Sequence, residues 1–181
     1  ALTKTAASQS IGLDAIKTKT APVRVRFFHD FSSPFSYLAS TQVEDLCRSY
    51  DVPCTLTPVL LGALFKNIGT ATVPLFTFSE AKRAYLALDL ERWASHWGVG
   101  FRFPSQFPMR TVNALRIALV KPALTQALYR WAWDEGVDLG DDLSLRQRLT
   151  DEVENVDALF EAAQEPSVKN QLRHNTAEAD A

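Results

Sequence analysis

Cysteine is scarce in this chain, with two residues, Cys47 and Cys54, among 181. They are not in C-x-x-C spacing, so no dithiol redox motif is encoded; a structural disulfide between them is possible but has no support in the sequence. Both read as small buried thiols, Cys47 on the first helix and Cys54 opening the next strand, and this usage suits a reducing cytoplasm. Glycine is also sparse, with seven residues and no glycine-rich phosphate loop. Neither sign of charge dominates: 19 Lys and Arg face 21 Asp and Glu, for a net charge of −2. That balance gives no electrostatic case for nucleic acid or an anionic membrane as a partner. The longest apolar stretch, Leu56 to Phe65, is broken by Pro58 and Gly62 and falls far short of the ~20 residues that span a bilayer. His29, His96 and His174 have no ligand spacing to one another or to cysteine, so no metal site is implied. The N-terminus has no apolar core long enough for a secretory signal.

What remains is an ordinary globular composition, 46% hydrophobic and 22% charged. A chain of this length buries about 70% of its unfolded surface and forms one or two domains. Residues 1–22 differ from the rest in having no aromatic side chain and little periodicity. They read as a flexible extension whose pattern allows one short helix around Ile11–Thr18.

The informative stretch is Asp30-Phe31-Ser32-Ser33-Pro34-Phe35-Ser36-Tyr37-Leu38, directly after the strand-like run Val23–His29. It reads as a strand, a tight turn and a helix from Ser33 to about Tyr50, because serine is a favoured N-cap and proline is tolerated at the first helical position. With Cys at positions 33 and 36 it would be the C-x-x-C site of a thioredoxin-like protein; here both sulfurs are replaced by hydroxyls. A helix N-terminus stabilises a thiolate through its unpaired N–H groups and partial positive charge. Since the chain does not supply that thiolate, a small-molecule thiol is the natural source, with glutathione the leading candidate. Cys54–Val59 reads as a second strand, parallel to the first because a helix joins them.

This turn resembles that of the kappa-class glutathione transferases and the 2-hydroxychromene-2-carboxylate isomerases. In that family a serine before proline hydrogen-bonds the glutathione sulfur. Further ordered blocks carry the resemblance: Leu60 to Lys66 with Gly69, Lys82-x-x-Tyr85-x-x-x-Asp89-x-x-Arg92-Trp93-Ala94, Phe103-Pro104, Phe107-Pro108, Arg110-Thr111 and Asn113-Ala114. It implies an α/β fold: a thioredoxin-like β-α-β unit (23–75), a large inserted helical domain (76–165), and the start of a returning thioredoxin-like helix (166–181). Helices are expected from Ser79 to about Gly98, Thr111 to Lys121, Pro122 to about Glu135, Leu143 to Leu149, Val156 to Ala163, and from Pro166 onward. Family members continue into a Gly-x-Pro-Thr segment and further strands that clamp glutathione. The sequence ends at Ala181, before any such segment, so the thioredoxin strands of that half are expected to be missing from this chain.

The resemblance also assigns residues. Ser33 is the catalytic thiol partner, and Ser33, Pro34, Phe35 and Thr70 bind glutathione. Lys66, in the loop after the second strand, and Arg110, Asn113 and Tyr85 are candidates for the substrate, an anionic aromatic. Each has a plainer reading. Ser33 alone is an N-cap worth ~1 kcal/mol, a lone loop lysine is solvated, and a surface arginine forms an ion pair of little energetic value. Lys82, Tyr85, Asp89, Arg92 and Trp93 share helical spacing that suits ion pairing and a Trp93 anchor. Trp93, Trp97, Trp131 and Trp133 are expected in the core or between helices. The implied activity is glutathione-dependent isomerisation of a 2-hydroxychromene-2-carboxylate-like substrate by a cytoplasmic homodimer. The alternatives are a kappa-type transferase or peroxidase, and a catalytically silent binding protein lacking the C-terminal clamp.

Overall fold

Two parallel strands, β1 (Val25–His29) and β2 (Cys54–Pro58), are joined by helix α1 (Pro34–Ser49), and this unit carries the turn at residues 30–33. The computed structural model describes residues 23–181, so the extension at 1–22 and its short helix lie outside the described residues. The strands pair in register from Val25↔Cys54 to His29↔Pro58. β1 begins two residues later than expected, since the first ladder bond is from Val25 N to Pro53 O, 2.9 Å, and Val23 and Arg24 stand in solvent. Among the described residues the sheet has no third strand.

α1 starts as its sequence dictates. Ser33 is extended (φ −103°, ψ 117°), its side chain caps the helix, and Pro34 is the first helical residue. The segment after β2 is not the loop expected there. Leu61–Asn67 forms helix α2, with Lys66 in its last turn. A single 3-10 turn, Pro74–Thr77, precedes α3 (Glu80–Trp97), which Ser79 caps and Gly98 ends at φ +65°. Left-handed backbone of that kind is where glycine carries no Cβ penalty.

The remaining helices are α4 (Val112–Val120), α5 (Thr125–Trp133), α6 (Asp142–Leu149), α7 (Val156–Ala163) and α8 (Pro166–Glu178). The helix expected from Pro122 is split into a 3-10 turn, Pro122–Leu124, and α5. α5 is the central element, with Leu128, Tyr129, Trp131, Ala132 and Trp133 all buried. α8 returns to the sheet: Asn175 Nδ2 donates to Pro58 O (3.1 Å), Thr176 Oγ1 accepts from Leu60 N (3.0 Å), and Glu178 pairs with Arg26 of β1.

Two expectations about α3 need correction. Trp93 is 45% exposed, its ring tilted 37° against the half-buried Trp97 with centres 5.0 Å apart, because α3 buries only Leu90 and Ala94. Among the described residues Lys82, Asp89 and Arg92 form no ion pair; Lys82 lies over the Phe78 ring, 3.7 Å from its centre. Cys47 and Cys54 are free, Cys47 buried but Cys54 only half-buried. Burial, and then the Cys47 thiol beside it, push the Cys54 thiol up to about 11, so it is un-ionised at neutral pH. No described helix is long and apolar enough to cross a membrane.

Candidate active site

The end of β1, the start of α1, the start of α2 and the start of α4 converge on one cavity of about 540 Å³. Its walls are largely apolar, with Phe35, Leu61, Phe65, Phe78, Phe103 and Phe107 contributing most of the bulk. Few of the lining residues are polar: Asp30, Ser32, Ser33, Thr72, Arg110 and Thr111. A mostly apolar concavity with a small set of converging polar groups is the usual form of a small-molecule site.

Ser33 occupies the opening of α1. Its Oγ accepts the Ser36 N–H at 3.1 Å, which satisfies the cap. The hydroxyl proton meets no acceptor among the described residues and is available to a ligand. Pro34 has no N–H, Ser36 N is engaged by the cap, and Phe35 N, at the second helical position, has no intrahelical partner. One O–H and one N–H at a positive helix end are therefore left without a partner among the described residues and can donate to an anion.

Asp30 lies behind that turn, 3% exposed. Oδ1 accepts from Ser32 N (2.9 Å) and from Thr111 Oγ1 (2.6 Å), and Oδ2 accepts from Leu61 N (2.9 Å). Thr111 is the N-cap residue of α4, yet it makes no capping bond because its hydroxyl is turned to Asp30. Beside Asp30, His29 is buried and its Nδ1 is 3.1 Å from Tyr129 Oη, while Tyr129 Oη–H donates to Asp30 O at 3.3 Å. Burial lowers His29 to about 4, so the imidazole is neutral at physiological pH. Burial, and next the Asp30 charge, raise Tyr129 well above its ordinary range, so its phenol is un-ionised too.

The residues singled out in the sequence fall into two groups. Ser33, Pro34, Phe35 and Arg110 line the cavity together. Lys66, Thr70, Tyr85 and Asn113 do not. Lys66 and Thr70 are exposed, Lys66 on α2 and Thr70 just after Gly69. Tyr85 is 64% exposed on α3, whose Leu86 is the residue that reaches the cavity. Asn113 is engaged elsewhere, donating to Asp142 Oδ1 (2.8 Å) and accepting from Gln164 Nε2 (3.1 Å). Sequence reasoning missed the linking role of Asp30 and Thr111. Both stand in the motif blocks, but their contact spans 81 positions and no local pattern announces it.

Residues 24–181 match the model of a family described as the DSBA-like thioredoxin domain. The chain is 27% identical over 165 residues to a 2-hydroxychromene-2-carboxylate isomerase of Sphingobium xenophagum, covering 86% of this chain and 81% of that protein. It is 25% identical over 169 residues to a kappa 2 glutathione S-transferase of Caenorhabditis elegans, covering 86% and 74%. Among solved structures, a 2-hydroxychromene-2-carboxylate isomerase superposes with a TM-score of 0.75 at 22% identity, over 86% of this chain and 79% of the other. At that identity the superposition carries the fold alone.

Proposed function

This chain belongs to the DSBA-like thioredoxin domain family, and we propose that within it Ser33 holds the thiolate of glutathione for the isomerisation of a 2-hydroxychromene-2-carboxylate-like aromatic acid. The observation that carries this reading is the free hydroxyl proton of Ser33 at the mouth of an apolar cavity, where a redox member would place cysteine. The relatives named as isomerases and glutathione transferases support it.

The donor set fits a thiolate. Ser33 O–H and Phe35 N–H can both donate to it, and the N-terminal dipole of α1 lowers the pKa of a thiol there. When bound, glutathione supplies a sulfur nucleophile that adds to the conjugated carbon of the substrate and leaves again after rotation, so that it is not consumed. The chain's own residues bind and orient. The aromatic wall from Phe103 and Phe107 takes the flat apolar body, and Arg110 faces the carboxylate, with which a guanidinium pairs bidentately. The apolar lining excludes water and strengthens both polar interactions. Lys66, exposed in the last turn of α2, is the second cation of this reading. Thr70, Tyr85 and Asn113 enter this reading only through movement of the segments that carry them. A cytoplasmic homodimer belongs to the same reading, with sedimentation velocity as the check on self-association.

A kappa-type transferase would use the same thiolate and consume it. The near-equal identity to relatives of the two names, 27% and 25%, keeps that second reading in view.

Calorimetric titration of glutathione into the chain, beside Ser33→Ala, tests the site. Saturable binding with a Kd of about 1 μM to 1 mM, corresponding to about −8 to −4 kcal/mol and weakened by the mutation, supports it. No binding by folded protein would overturn it and leave a silent relative. Chromene isomerisation without net loss of glutathione then separates isomerase from transferase.

A further inference from the structure

We infer that Asp30 is the positioning residue of this site, its buried carboxylate locking together the three separate segments that meet around Ser33. The inference rests on the reading of Ser33 as the thiol partner and concerns what holds Ser33 in place. Asp30 is 3% exposed and, among the described residues, has no cationic partner. Three neutral donors compensate its charge, and each belongs to a different wall of the cavity: Ser32 N in the turn, Leu61 N at the start of α2, and Thr111 Oγ1 at the start of α4.

Each contact does something the local sequence does not. α2 has Leu60 at its N-cap, a side chain with no acceptor, so the Leu61 N–H would be an orphan donor. Asp30 supplies the acceptor from 31 positions upstream. α4 forgoes a side-chain cap so that Thr111 can bind Asp30. The main chain of Asp30 adds a fourth tie, its carbonyl accepting the Ser33 N–H at 3.1 Å. The distance from Ser33 to Arg110, next to Thr111, and to the α2 wall is thus set through one carboxylate. A misplacement of about 1 Å between reacting groups can lower a rate by about a hundredfold.

Asparagine at position 30 has nearly the same shape but presents an NH2 to a donor that needs an acceptor. The full chain is compared as wild type, Asp30→Asn, Thr111→Val and Thr111→Ser, at a temperature where circular dichroism reports each one folded. Three quantities are read: glutathione affinity by calorimetry, amide exchange at Ser32, Phe35 and Leu61, and binding of the apolar fluorophore 8-anilinonaphthalene-1-sulfonate. Asp30→Asn should weaken glutathione binding about tenfold or more and speed exchange at Ser32 and Leu61. Thr111→Val should do the same to a smaller extent, and Thr111→Ser, which restores the hydroxyl, should return affinity to within about twofold of wild type. Folded Asp30→Asn that binds glutathione within about twofold of wild type would overturn the positioning role while leaving the Ser33 reading intact. If Asp30→Asn does not fold, the Thr111 pair decides: equal affinity in Thr111→Val and Thr111→Ser overturns the role. If wild type itself does not bind glutathione, the Ser33 reading fails by itself. Exchange at Leu61 and fluorophore affinity then decide whether Asp30 still holds the walls, unchanged values in Asp30→Asn overturning that as well.

Discussion

Trp133, at the end of α5, donates its indole Nε1–H to the main-chain carbonyl of Phe31 at 2.8 Å, across 102 positions of sequence. The helical part of the chain thereby fixes the turn that precedes Ser33. Both residues are fully buried, and Phe101 stacks on the Trp133 ring at 5.9 Å.

Trp133→Phe keeps an aromatic ring but strands the Phe31 carbonyl in the interior. An unsatisfied buried acceptor costs about 1–3 kcal/mol, before any loss of volume. Trp131→Phe is the control, since Trp131 is buried but its N–H meets no acceptor among the described residues. Urea unfolding at pH 7 should place Trp133→Phe at least about 1 kcal/mol below Trp131→Phe. Equal losses would mean that the bond contributes nothing.

Ser33 has two roles that substitution can separate. Aspartate is as good an N-cap as serine, so Ser33→Asp should keep the stability of α1 within about 0.5 kcal/mol. Its charge, however, repels a thiolate and removes the hydroxyl donor. Ser33→Ala should lose about 1 kcal/mol of stability together with glutathione binding. Thermal melts paired with calorimetry resolve the two. A Ser33→Asp chain that binds glutathione as well as wild type would show that Ser33 only caps.

His29 makes stability depend on pH in a defined direction. The unfolded chain, with an ordinary imidazole near 6.5, takes up a proton below that pH, whereas the folded chain does so only near about 4. Acid therefore favours unfolding across that window, by about 1.4 kcal/mol per unit and about 3 kcal/mol in all. Above pH 6.5 the contribution is fully present; below about 4 no more is lost. Unfolding free energies measured from pH 7.5 to 4 should fall accordingly, and His29→Phe should flatten the curve.

The parts of the fold set by neighbouring residues were legible in the sequence. The Ser33-Pro34 start of α1, the Ser79 and Gly98 ends of α3 and the parallel β1–β2 pairing each follow from a local rule. No local signal marks α2 as a helix, since Leu61–Asn67 is short, contains Gly62 and takes its acceptor from Asp30 rather than from its own N-cap. Spacing suggests Trp93 as an anchor of α3, but it identifies a shared helix face and not which face the rest of the chain covers. The same limit applies to the site. Ser33, Pro34 and Phe35 are contiguous and follow from the turn, whereas Lys66 and Tyr85 rest on the resemblance and do not line the cavity.

Arg110 is positioned by a residue with no side chain. A Cβ on Gly140 would lie 3.1 Å from the Arg110 Cβ, N and O, a contact that one of the two segments must relieve. The Gly140 loop cannot easily retreat, because the neighbouring Leu139 is fully buried. Gly140→Ala should therefore displace the Arg110 main chain, at a stability cost of about 1–3 kcal/mol typical of overpacking. If Arg110 pairs with the substrate carboxylate, KM for that substrate should rise severalfold while glutathione affinity, set at Ser33, stays as in wild type. Arg110→Met should raise KM further, about tenfold or more, because it removes a charge-assisted bond. A Gly140→Ala chain that loses glutathione and substrate affinity equally would mean that the whole cavity has shifted, and that Arg110 has no separate part in recognising the carboxylate.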